Sequence, residues 1–191
     1  MAPAVQTRAT LDDLMRVEGK AELIGGRIVP LMATGRKPNR VASRIFRSLD
    51  DYAEETGRGE TYTDNMGFAV AELPSGRESF SPDVSYYAGP MPANSMRFIA
   101  GAPTLAIEVR SEGDYSPAAK LASAAKRADY FAAGTAVVWD VDTVAEIIHV
   151  YRSDSPEPQA IYARGQVAEA EPAVPGWRPE VDAFFEKPRR R

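Results

Sequence analysis

The chain has 191 residues, 44% of them hydrophobic, which suffices for one α/β core and would be cramped as two. With no cysteine and one histidine, disulfides, thiolate nucleophiles, cysteine zinc sites and multi-histidine metal centres are excluded together. The formal charge of −4 and a pI near 5.2 mean that any contact with nucleic acid has to come from a local basic patch, not from the global field.

Residues 1–9 are small and polar and read as a flexible terminus. Thr10, with Asp13 three positions on, is a capping pair for a short helix from Leu11 to about Val17. Glu22-Leu23-Ile24, Gly25-Gly26 and Arg27-Ile28-Val29 form a hairpin pattern, two β-rich arms around a two-residue glycine turn. From Pro38 to Glu55 the pattern becomes helical: Val41, Ile45, Leu49 and Tyr52 make one apolar face. Arg40, Arg44 and Arg47 lie off that face and, with Arg36 and Lys37 just upstream, form the densest basic stripe in the chain. Such a stripe is either a solvated face balanced by Asp50, Asp51, Glu54 and Glu55, or a set of phosphate contacts.

Gly57 and Gly59 close this helix, and Glu60 to Val70 reads as one strand or two. A turn at Pro74-Ser75-Gly76 brings the chain back through Phe80 to Tyr87, so that a second hairpin delivers Asp83. Residues 89–103 form a proline-rich loop, and Thr104 to Val109 has the β-branched content of a buried strand. Ser116-Pro117 starts an alanine-rich helix that runs to Ala133 and stops at Gly134. Ala136 to Val141 is a further strand, expected parallel to the first and joined to it by that helix; Ala145 to Tyr151 then pairs back. His149 in this last run reads as structural. A weak strand near Ala160, a turn at Pro175-Gly176-Trp177, a helical turn at Asp182 to Phe185 and a flexible basic tail, Lys187 to Arg191, complete the chain. No segment reaches the roughly 20 apolar residues of a membrane span and no signal-peptide core is present, so a cytoplasmic protein without a membrane partner is expected.

The chemistry concentrates between Ser81 and Gly134. Glu108 is an acid within an apolar strand, and a buried carboxylate requires a partner. A divalent cation shared with Asp83 would supply one, with Arg110 and Lys126 suited to a phosphate held against it. An ion-pair network, in which Asp83 caps a turn after Pro82 and Glu108 pairs with Arg110 or Lys126, accounts for the same residues.

The ordered blocks Glu22 to Val29, Ser81 to Val84, Leu105 to Val109, Lys126 to Gly134 and Val138 to Asp142 resemble the Uma2 family of bacterial endonucleases, within the PD-(D/E)XK nuclease superfamily. The resemblance spans about residues 10–186 and implies one restriction-endonuclease-like α/β domain, a mixed central sheet flanked by helices. It also implies Asp83 and Glu108 as metal ligands and Glu22 as an accessory acid. Two positions depart from the pattern. Pro38 stands where family members commonly carry a histidine, and Arg110 stands where the superfamily has a lysine. Arginine stays charged and cannot act as a base, so the lysine role passes to Lys126. A strand rising about 7 Å beyond Glu108 and a helix returning roughly 14 Å bring Lys126 back to the level of that acid.

The expected activity is Mg²⁺- or Mn²⁺-dependent phosphodiester hydrolysis of nucleic acid, with DNA the expected substrate. Asp83, Glu108 and the Val109 carbonyl would hold the metal, Lys126 and Arg110 would face the phosphate, and Glu22 would hold a second metal or a water. A homodimer is compatible with this reading. The competing class is a nuclease fold without turnover, serving as a binding module for nucleic acid or protein. A nucleotide-cofactor enzyme lacks the necessary glycine-rich loop before a helix.

Overall fold

In the computed structural model, which describes residues 8–152, 155 and 157–186, the chain opens with a single helical turn, Leu11–Leu14 (α1). The Thr10 hydroxyl accepts from the Asp13 N–H and the Asp13 carboxylate accepts from the Thr10 N–H, the reciprocal pair expected. The helix stops short of Val17: the N–H groups of Arg16 and Val17 reach back only three residues, and Gly19 turns the chain at φ +87°. Ala21–Ile24 (β1) and Arg27–Pro30 (β2) then pair antiparallel. Their turn puts both glycines at positive φ, 59° and 67°, which is the hand of turn that matches strand twist.

Arg36–Thr56 (α2) begins earlier than its apolar pattern because Pro38, in the first turn, needs no N–H partner there, and it ends on Gly57 in the left-handed region. Glu60–Thr63 (β3), Phe68–Ala69 (β4), Ser79–Phe80 (β5), Val84–Tyr87 (β6), Ile99–Ala100 (β7) and Leu105–Val109 (β8) follow. Ser116 caps Pro117–Ala132 (α3), and Val137–Asp142 (β9), Ile147–Arg152 (β10) and Ala160–Ala163 (β11) complete the strands. The stretch from residue 60 to 70 does not act as one arm of a hairpin. Its first half pairs with β6, and its second half leaves to join β5 and β7 in a small separate sheet.

The central sheet has the order β11-β10-β9-β8-β6-β3 and is mixed, β8 and β9 being its parallel pair and α3 the connection between them. Alternation assigns the two faces. Leu105, Ile107 and Val109 join Val137, Trp139, Val141, Ile148 and Val150 in a core closed by α2 and by the C-terminal segment, where Trp177 stacks on Trp139 with ring centroids 4.9 Å apart. Ala106 and Val138 project from the other face into a second cluster with Phe80 and Tyr130. Glu108 and Asp140 share this second face, so β8 and β9 are apolar on one side and carry acids on the other. The sequence-predicted helical turn near the C-terminus is a 3-10 turn, Val181–Ala183. The basic tail and residues 1–7 lie outside the described residues. Among those described, no helix is long and apolar enough to cross a membrane.

Candidate active site

Register brings the acids together. Val84 faces Ile107 across the β6–β8 pair, so Asp83, one step earlier, comes opposite Glu108, which itself faces Asp140 on β9. A row of three acids therefore crosses adjacent strands on the face away from α2. It lines one wall of a cavity of about 500 Å³, closed on other sides by α3 and by the segment that follows β2.

Three cations divide the row. Lys126 Nζ stands 2.9 Å from Glu108 Oε1 and 2.9 Å from Glu22 Oε1. Lys20 Nζ lies 2.9 Å from Asp83 Oδ1 and 2.5 Å from Asp64 Oδ1. Arg110 turns away from Glu108: its Nε and Nη2 grip the two oxygens of Asp140 at 2.7 and 2.8 Å, and Nη1 donates to Asp142 at 2.9 Å. The planar fork of arginine matches a carboxylate in this bidentate way.

The hydrogen bonds orient each acid. Asp83 Oδ2 accepts from the Val109 N–H at 2.8 Å, which ties the end of β6 to the end of β8. Glu108 Oε1 also accepts from the Tyr130 hydroxyl at 2.6 Å, whereas Glu108 Oε2 has no protein donor among the described residues. Lys126 and Tyr130 are one helical turn apart on α3, so both meet the same carboxylate, and the ammonium also lies 5.7 Å from the tyrosine ring centre. Glu22 is committed on both oxygens. Oε1 accepts from the Ser81 N–H at 3.0 Å as well as from Lys126, and Oε2 pairs with Arg77, which in turn holds Asp129 at 2.9 Å.

The β1–β2 turn docks that pair. The Gly25 N–H donates to the Gly76 carbonyl at 2.6 Å; Gly76 sits at φ +87°, and a Cβ there would stand 3.2 Å from the Gly25 backbone, so glycine suits both the backbone angle and the close approach. Ile24 then bridges to Arg77, and the Leu23 N–H donates to Ser79 Oγ at 2.7 Å.

Burial opposes ionisation of Glu22, but Lys126, Arg77 and the Ser81 N–H outweigh it and hold its carboxyl below the usual carboxylate range. Glu108 goes the other way: loss of water pushes its carboxyl up, Lys126 pulls it down, and the Asp83 charge adds to the rise. Lys126 loses water too, yet the charges of Glu108 and Glu22 prevail and keep it an ammonium. Tyr130, pushed well up by burial and by Glu108, remains a phenol donor.

The expected set is thus divided. Asp83, Glu108, Lys126 and Val109 line the same cavity, with Lys126 on Glu108 and the Val109 N–H on Asp83. Glu22 stands behind Lys126, and among the described residues no three acid or imidazole groups gather as a metal cage. Arg110 lines the cavity but is occupied by Asp140 and Asp142. The α2 stripe lines no part of the cavity. Arg36 pairs with Glu186 at 2.8 Å, Lys37 with Glu146 at 3.0 Å, and Arg44 donates to the Phe184 carbonyl at 3.1 Å, while Arg40 and Arg47 are exposed. Lys20, Arg77 and Asp64 are additions that no sequence motif marks. Asp129 lies in the Lys126 to Gly134 block, and its helical spacing from Lys126 was the available signal.

The sequence model of the Uma2 family, described as "Putative restriction endonuclease", matches residues 9–183. The chain belongs to the Uma2 family. A crystal structure described as a "putative nuclease belonging to DUF820" from Anabaena variabilis is similar at 18% identity with a TM-score of 0.66, over 92% of this chain and 97% of that one. That likeness carries the fold, a mixed central sheet with flanking helices, as the Uma2 resemblance implied. No curated protein matches the chain.

Proposed function

We propose that this Uma2 protein is a metal-dependent nuclease that hydrolyses phosphodiester bonds of nucleic acid, with DNA its expected substrate and Mg²⁺ or Mn²⁺ its cofactor. The observation that carries the reading is the open Oε2 of Glu108. It sits opposite Asp83 at the cavity wall while the other oxygen of the same carboxylate is fixed by Lys126 and Tyr130. The Glu108 side chain is 29% exposed, so this oxygen opens onto the cavity and is available to a ligand from that side.

The donor set fits a hard divalent ion. Mg²⁺ binds through one or two carboxylates, keeps several waters and takes substrate phosphate oxygens for the rest. Asp83 and Glu108 provide the two carboxylates. The N–H and C=O of a strand residue point to the same flank, so the Val109 carbonyl is directed toward Asp83, where Pro82 has no N–H to occupy it. Bound there, the ion would polarise the phosphate and lower the pKa of a water.

The protein's own groups do the rest. Lys126, held charged by two carboxylates, cannot remove a proton from water; it offers positive charge to the phosphate as negative charge builds on it. Glu22 and Arg77 keep its stem and charge in place from behind, which makes them positioning residues. Arg110 grips both oxygens of Asp140, the third acid in the row, which takes Asp140 out of the candidate metal ligands. Arg40 and Arg47 remain candidates for outer phosphate contacts on the far side of the sheet.

Plasmid and single-stranded substrates incubated with Mg²⁺ or Mn²⁺ test this reading. Wild type should cleave, and Glu108→Ala should lose both cleavage and metal binding. Lys126→Ala should bind metal and fail to cleave. Equal cleavage by wild type and Glu108→Ala would refute a reaction at Glu108, and no cleavage under any metal would leave the non-hydrolysing binding module as the function.

A further inference from the structure

Lys20 has no part in the mechanism above, yet its ammonium holds one of the two carboxylates proposed for the metal. It arrives from the turn between α1 and β1, is 15% exposed along its side chain, and lines the same cavity as Glu108. Its two partners differ in character. Asp83 is tied to the β8 backbone and faces Glu108. Asp64 lies in the turn after β3, with its carboxylate 54% exposed, Asn65 beside it at φ +75°, and the Asn65 N–H bonding Asp64 Oδ1 at 3.0 Å. Asp64 is therefore a second, outer seat for the same ammonium, already in contact with it.

A single positive charge on Asp83 occupies the place where a double one has to come. We infer that Lys20 is an internal counter-ion that a divalent cation displaces from Asp83, and that Asp64 is the seat to which its ammonium withdraws. This rests on the metal-dependent reading above. Without metal, Lys20 balances the charge of Asp83, and its ammonium and the Val109 N–H each hold one of the two carboxylate oxygens. With metal, the lysine stays on the cavity wall beside the phosphate. The consequence is a site tuned to weaker metal affinity than its two carboxylates alone would give, because each binding event includes breaking the Lys20–Asp83 contact. A lysine that merely pins the β1 entry to the β3 turn would make a different prediction: its loss would lower stability and would not tighten metal binding.

Titration calorimetry with Mn²⁺ and with Mg²⁺, without nucleic acid, separates these cases, with circular dichroism melts confirming that each variant is folded. Lys20→Met should bind the metal at least tenfold more tightly than wild type, and Lys20→Arg, which keeps the charge, should stay within threefold of it. Asp64→Asn should bind several-fold more weakly, since the lysine then has no second seat. In the Lys20→Met background the same Asp64→Asn change should have little effect. The inference is overturned if Lys20→Met binds no tighter than wild type, or if Asp64→Asn weakens binding equally in both backgrounds, as plain charge loss would. Should Lys20→Met melt below the titration temperature, Asp64→Asn in the wild-type background decides, with unchanged affinity refuting the exchange. Binding by wild type without tightening in Lys20→Met removes this inference alone; no binding by any variant removes the metal-dependent reading with it.

Discussion

Glu22→Gln tests how the site is held from behind. Glu22 is 2% exposed and accepts from Arg77, Lys126 and the Ser81 N–H, so the amide substitution keeps the shape, removes the charge and turns donors toward donors. Breaking a buried pair by removing one partner costs about 3–5 kcal/mol. Each orphaned cation keeps another carboxylate, Asp129 for Arg77 and Glu108 for Lys126, both at 2.9 Å, which places the cost near the lower end, at about 3 kcal/mol. For a chain of this length 1 kcal/mol corresponds to about 2–4 °C, so Tm should fall by roughly 9 °C at neutral pH. The pH dependence has a definite sign. The folded-state carboxyl of Glu22 lies below its ordinary value of 4.5, so its contribution is complete above that value and is lost as pH falls through the lower folded one. Wild type and variant should therefore differ by a constant amount from pH 7 to about pH 5 and converge below it. Calorimetric melts of both proteins across that range are the assay. A neutral-pH difference under 1 °C, or a gap that stays undiminished as the pH falls well below 4.5, would refute the account of Glu22 as a buried, charged anchor.

Arg110→Gln should melt lower, by about 2 kcal/mol of stability, because Asp140 and Asp142 lose their charge-assisted bonds, while metal binding measured by calorimetry stays within a few-fold of wild type. A loss of metal-dependent cleavage with stability intact would instead put Arg110 on the phosphate. On α2, Arg40→Gln combined with Arg47→Gln should flatten the slope of log affinity against log salt for nucleic acid by about two, at roughly 0.9 per phosphate contact. An unchanged slope would make these two residues a solvated face. The companion change of Arg36 and Arg44 to glutamine acts on their contacts with Glu186 and the Phe184 carbonyl, and a fall in Tm of no more than a few degrees is expected.

What the sequence determined by itself was local or periodic. The β8–α3–β9 unit was legible because apolar runs, the Ser116-Pro117 start and the Gly134 stop all act within a few residues of one another. Asp83, Glu108, Lys126 and Glu22 could be picked out as candidates because acids and a lysine in apolar surroundings stand out, and because the blocks carrying them resemble the Uma2 family. Only the tertiary structure decided which charge meets which. Glu22 and Arg77 are 55 positions apart and meet because the β1–β2 turn rests on Gly76; Lys20 and Asp83 are 63 apart and meet over the end of β6. Arg110 shares the face of Glu108, as its spacing of two residues requires, yet it bonds across to β9, because Asp140 and Asp142 on the neighbouring parallel strand offer it two carboxylates. The basic stripe of α2 was visible as a stripe, but its side of the sheet was not. Side-chain alternation states which residues share a face, whereas strand order and the packing of helices on the two faces, set by contacts distant in sequence, decide what that face looks upon.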